Sequence, residues 1–160
     1  MADKLRTAPD FYRSAPYPAF RYYVDIVGVT KDVKDMAAGF SDVSGLAAEV
    51  NFSEYRPGNY PQLMTLKIPN TTKFDDVVFK RGLIGAGALF EWVRDYFTKG
   101  IIVPRAITVT ILDEKGDEGV SLELSNALPK KWVGPTLAGK GGGEVAMEEL
   151  HLVHHGLTWA

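Results

Sequence analysis

Hydrophobic and polar residues alternate along most of this chain, the period of a strand with one buried face. Phe20, Tyr22, Val24 and Ile26 share one parity, and Arg21, Tyr23 and Asp25 the other. Phe40–Gly45 reads as a short strand ending at a glycine. Ala48, Val50 and Phe52 alternate with Glu49, Asn51 and Ser53, and Met64, Leu66 and Ile68 alternate with Thr65 and Lys67. Pro57, Gly58, Asn59 and Pro61 separate these two runs, which predicts a hairpin with a long tip. Pro69–Thr72 reads as a further break, and Phe74–Lys80 as β-rich.

One segment changes period. Leu89, Trp92, Val93, Tyr96 and Phe97 fall at i, i+3, i+4, i+7 and i+8, with Glu91, Arg94 and Asp95 opposite them. That spacing predicts an amphipathic helix whose apolar stripe of five residues is core, with Gly100 placed for a left-handed stop. Alternation returns at Ile107, Val109 and Ile111, and again at Val120, Leu122 and Leu124 after the acidic, glycine-containing turn Asp113–Gly119. Pro129–Lys131 reads as an interruption and Gly134–Gly143 as a flexible connection. In the final run, Glu144–Leu157, Val145 and Met147 share one parity and Leu150 and Leu152 the other, so a bulge near Glu148–Glu149 is expected. About seven strands and one helix predict a mainly β fold, an antiparallel two-sheet sandwich or barrel with the helix over an open end or edge. Residues 1–15 read as a flexible N-terminal arm and 16–160 as one domain.

Composition narrows the function classes. The 160 residues are 46% hydrophobic and 24% charged, within the range of ordinary globular domains. A formal net charge of −2 disfavours non-specific nucleic-acid binding. With no cysteine, disulfide, thiolate and Cys–zinc chemistry are absent together. No apolar run reaches the roughly 18 residues of a membrane span, so no membrane anchor is expected.

Three clusters invite a chemical reading, and each fails on context. Gly134–Gly141 fits the G-x-x-x-x-G-K frame of a phosphate loop, but Gly141 stands where the Mg²⁺-binding hydroxyl belongs, and a strand pattern follows instead of a helix. His151, His154 and His155 would converge on a helix, whereas the flanking alternation puts His151 and His155 on one side of a strand and His154 on the other. Asp113, Glu114, Asp117 and Glu118 lack calcium-loop spacing and read as a solvated turn. No catalytic residue, metal site or cofactor is therefore expected, and the chain reads as no enzyme.

The proline-rich stretch from Arg56 to Ile68 remains. It carries apolar side chains in a segment that should protrude, and such side chains need a partner surface. Arg56, Pro57, Tyr60, Leu63, Met64 and Leu66 are the expected subunit contacts, together with Tyr17.

Several segments, in order, resemble the tail-tube protein family of contractile phages and phage-derived injection systems: Tyr17–Asp25, Phe40–Leu46, Ser53–Arg56, Lys67–Asn70 with Phe79–Gly82, Leu89–Arg94, Asn126–Trp132 and Glu144–Glu149. The resemblance spans about Tyr17 to Leu157, and Thr30–Gly39 is longer than the family's pattern. It implies a tail-tube fold and a homohexameric ring that stacks into a tube inside a contractile sheath. Baseplate and terminator proteins would close the ends, and DNA or an effector protein would be the cargo in the lumen. In the family, the arm matching Arg56–Thr72 contacts neighbouring subunits. The particle would assemble in the cytoplasm and reside in a virion tail or injection-particle tube. A baseplate or tail-tip adaptor, or a type VI secretion tube protein, would share the fold. A small-ligand-binding β-barrel is the alternative of a different class, and it needs an apolar internal pocket.

Overall fold

The computed structural model describes residues 15–29, 39–59, 61, 63–85 and 87–160. The expected N-terminal arm, apart from Ala15, and the insertion at Thr30–Gly39, apart from Gly39, lie outside the described residues, as does Tyr60. The strands are β1 (Tyr22–Ile26), β2 (Asp42–Ser44), β3 (Ala48–Tyr55), β4 (Leu66–Phe74), β5 (Val77–Gly82), β6 (Arg105–Leu112), β7 (Glu118–Val133), β8 (Met147–Val153) and β9 (Gly156–Trp159). The helix α1 spans Ala88–Lys99, between β5 and β6.

Seven strands form one antiparallel sheet in the order β1-β6-β7-β8-β5-β2, with β9 added against β7. Among the described residues, β3 and β4 pair only with each other and form a separate two-stranded sheet. The long β7 organises the fold. Its first half pairs with β6 and β9, its second half with β8. Between the halves, Asn126 adopts φ 49°, a left-handed backbone that Asn tolerates better than most residues. The expected barrel is not formed: β1 and β2 are the two ends of the large sheet, and they do not pair with each other.

Alternating side chains from the large sheet meet in one core. Val24 and Ile26 of β1, Ile107 and Val109 of β6, Leu124 of β7, Leu150 and Leu152 of β8, and Val77 and Phe79 of β5 are all buried there. From the helix, Leu89, Trp92 and Val93 join them. Trp92 is 2% exposed, donates its indole N–H to the Val103 carbonyl at 3.0 Å and lies 5.4 Å from the Arg105 guanidinium. The helix stops as expected: Gly100 takes φ 66° and its N–H bonds the Tyr96 carbonyl.

Five expectations are corrected here. The helical stripe ends early, because Tyr96 and Phe97 are exposed, Phe97 at 72%; the sheet covers only the first two turns. Pro69–Thr72 is no break but the middle of β4, beside a register irregularity opposite Val50–Phe52. Pro129–Lys131 likewise lies within β7, at a bulge. Proline is tolerated at such positions because its missing N–H leaves no ladder bond broken. The bulge expected near Glu148–Glu149 is absent, since β8 pairs with β5 without a shift. The apparent phase change arises because Glu148, a charged residue, faces inward with Leu150 and Leu152. The chain also leaves the strand at His154 and His155 before resuming as β9.

Glycine is required at position 45. Its φ is +85°, and a Cβ there would overlap the Asp76 carbonyl. Left-handed strain in a non-glycine residue costs about 1–3 kcal/mol, so Gly45→Ala should lower the thermal midpoint by several degrees. Trp92→Ala should cost about 3–5 kcal/mol as a core truncation. Phe97→Ala should be close to neutral for the isolated subunit. Thermal and denaturant unfolding of the three variants check this, and equal losses at Trp92 and Phe97 would contradict the placement of the helix.

Candidate assembly surfaces

The β3–β4 hairpin stands apart from the core. Every residue of β3 and β4 is exposed except Asn51 and Phe74, which are half-buried. Phe74 anchors the root, its ring centroid 5.3 Å from that of His154. Near the irregularity, Asn51 donates to Thr71 and Asn70 to Ser53, so the two strands are joined by side chains as well as backbone.

The register distributes apolar residues over both faces. Val50 and Phe52 share a parity, with Pro69 opposite Phe52. Tyr55 and Ser53 point the other way, opposite Leu66 and Ile68. Phe52 is 57% exposed and Tyr55, Leu66 and Ile68 are each about half exposed. At the tip, Leu63 reaches 87% and Met64 is exposed too. A two-stranded hairpin has little stability alone in water, and contiguous exposed apolar surface marks an interaction site.

Of the expected contact residues, the hairpin brings Arg56, Pro57, Leu63, Met64 and Leu66 together at its distal end. Tyr17 is elsewhere. It lines an open groove of about 240 Å³ with Tyr22, Val43, Leu46 and Ile111, and no hairpin residue lines that groove. Sequence reading missed Val50, Phe52, Tyr55 and Ile68 as candidates, because strict alternation implied a covered face. The available signal was apolar residues on both parities, Phe52 and Tyr55.

Sheet edges are the second feature. β2 and β9 each pair on one side only among the described residues. Unpaired strand edges template pairing with another chain.

The family model of the T4-like virus tail tube protein gp19 matches residues 18–158. The chain belongs to this family. No curated protein matches it. Among solved structures, a chain of the extracellular contractile injection system PVC sheath-tube complex in its extended state is 22% identical, with a TM-score of 0.77, covering 92% of this chain and 93% of that one. A chain of the anti-feeding prophage baseplate, 6-fold symmetrised, is 21% identical with a TM-score of 0.80, covering 92% and 97%. A chain of the anti-feeding prophage tube terminating cap is 23% identical with a TM-score of 0.78, covering 97% of each.

The other polar clusters of this tail tube protein are explained by local structure. Asp113 Oδ1 accepts from the backbone N–H groups of Lys115 and Asp117, so this carboxylate shapes the β6–β7 turn. No helix follows the glycine-rich loop; it leads into β8. His151 bonds Glu149 at 3.3 Å, His154 is buried and bonded through Nδ1 to the Gly156 carbonyl, and His155 is exposed. Among the described residues no group of three or more His, Asp or Glu is arranged to hold a metal ion, and no helix is long and apolar enough to cross a membrane.

On the outward side of the large sheet, Lys80 sits 3.1 Å from Glu149. The hydrogen bond from Lys80 holds the Glu149 carboxyl below its usual range, and His151 adds to this. A carboxyl lowered in the folded state contributes stability above its unfolded pKa and loses it as pH falls through the folded one. Lys80→Ala should therefore raise the Glu149 pKa toward the free value. Carboxyl chemical shifts followed from pH 7 downward measure this, and an unchanged titration would contradict the assignment.

Proposed function

We propose that this tail tube protein builds the inner tube of a contractile tail or injection system, as homohexameric rings stacked end to end. Residues 16–160 act as one tube-forming unit. A contractile sheath surrounds the tube, baseplate and terminator proteins meet its ends, and DNA or an effector protein passes through the lumen. Assembly takes place in the cytoplasm. Family membership supports the tube itself. The ring and its partners draw support from structural relatives in a sheath-tube complex, a 6-fold symmetrised baseplate and a tube terminating cap.

One observation carries the reading: the β3–β4 hairpin exposes apolar side chains on both faces and, among the described residues, belongs to no larger sheet. One covering surface would suffice for an amphipathic hairpin. Two apolar faces need two, so the hairpin inserts between neighbouring copies. Such a contact joins unlike surfaces head to tail, and heterologous contacts close into rings or run on as filaments. Covering a half-exposed Phe, Leu or Ile contributes on the order of 1 kcal/mol, and several act together. An open sheet is also less suited to enclosing a small ligand than a closed barrel.

Lysine at Phe52 and Ile68 tests the idea, because each charge sits on a different face. F52K/I68K should keep the far-ultraviolet spectrum and melting midpoint of the parent subunit within a few degrees, while electron microscopy shows neither rings nor tubes. Tubes of normal length from the double variant would contradict the proposal.

A further inference from the structure

Arg81 and Glu148 stand directly opposite each other on β5 and β8, and each is only 2% exposed. The Arg81 Nε–H donates to Glu148 Oε1 at 2.5 Å. The other carboxylate oxygen accepts from the Trp132 indole at 3.0 Å, and the guanidinium lies 5.8 Å from the centre of the Phe40 ring. A buried ion pair is a poor source of stability, because desolvating both charges offsets most of their attraction. Well-packed apolar residues often do as well or better. Stability alone does not account for the pair.

Its place in the register does. The inward residues of β5 are Val77, Phe79 and Arg81, and those of β8 are Leu152, Leu150 and Glu148, paired in that order. A slide by one residue turns every core side chain outward and is excluded by burial. A slide by two keeps the inward parity. It sets Phe79 against Leu152, or Val77 against Leu150, both acceptable apolar contacts. The ion pair objects most strongly: Arg81 would face Leu150 or Ala146, and Glu148 would face Leu83 or Phe79. Two separated charges would then sit in the core, which is strongly disfavoured. On the outer side, Lys80 and Glu149 prefer the same alignment, but both are substantially exposed, so their preference is weak.

We infer that Arg81 and Glu148 are register-setting residues, selecting one β5–β8 alignment from a set that apolar packing alone would leave nearly equivalent. The inference is independent of the assembly reading, since it concerns the folding of one subunit.

The chain contains no cysteine, so introduced pairs report register cleanly. Lys80 turns its carbonyl toward β2, accepting from the Ser41 N–H. Its pairing with Glu149 is therefore of the non-hydrogen-bonded kind, in which side chains approach closest. K80C/E149C reports the native alignment, and K80C/H151C and K80C/M147C report slides of two residues. Each pair is refolded from denaturant, oxidised and mapped by mass spectrometry. In the natural background only the native pair should cross-link efficiently. In R81L/E148L, and in R81M/E148M with its longer side chains, the subunit should still fold, and a slid pair should cross-link to within about tenfold of the native one. Absence of any slid cross-link in folded double variants overturns the inference. Failure of both double variants to fold overturns it as well, because the pair would then be supplying stability.

Discussion

The β3–β4 hairpin cannot shelter its own apolar side chains. Two strands make no layer, and the register divides Val50, Phe52 and Pro69 from Tyr55, Leu66 and Ile68 on opposite faces. The core is built from residues of β1, β5, β6, β7, β8 and the helix, and no residue of β3 or β4 is among its buried members. The fold thus separates two tasks: one sheet with a helix makes a stable body, and one hairpin carries apolar surface that the described residues leave exposed.

The body is built to hold that hairpin at a defined angle. Phe74 against His154 ties the hairpin root to the turn between β8 and β9. Lys130 pairs with Asp76 at 2.5 Å, linking the second half of β7 to the step between β4 and β5. Gly45 lets the chain pass close beneath the Asp76 carbonyl on its way from β2 to β3. Each contact lies within a few residues of the place where β3 or β4 leaves the body.

Much of this was legible in the sequence. The period of two located the strands, and the spacing of Leu89, Trp92 and Val93 located the helix. The departures share a physical cause: a single residue type does not fix its environment. Pro69 and Pro129 looked like breaks, yet each sits beside an irregularity where a missing N–H is harmless. Glu148 looked like a surface residue because its partner, Arg81, lies 67 positions away. Tyr96 and Phe97 continued the helical stripe, but nothing in the spacing reveals where the sheet beneath the helix ends. The hairpin was recognised from its prolines and apolar tip. Its two-faced character depends on the pairing of β3 with β4, which periodicity alone does not supply.

If the hairpin is the assembly contact proposed above, contacts with other copies, more than contacts within the subunit, hold β3 and β4 in place. Amide hydrogen exchange across Ala48–Phe74 compares the free subunit with the assembled particle most directly. The account predicts rapid exchange there in the free subunit, while β5 and β8 are already protected, and strong protection of the hairpin after assembly. Equal protection of the hairpin in both states would contradict it.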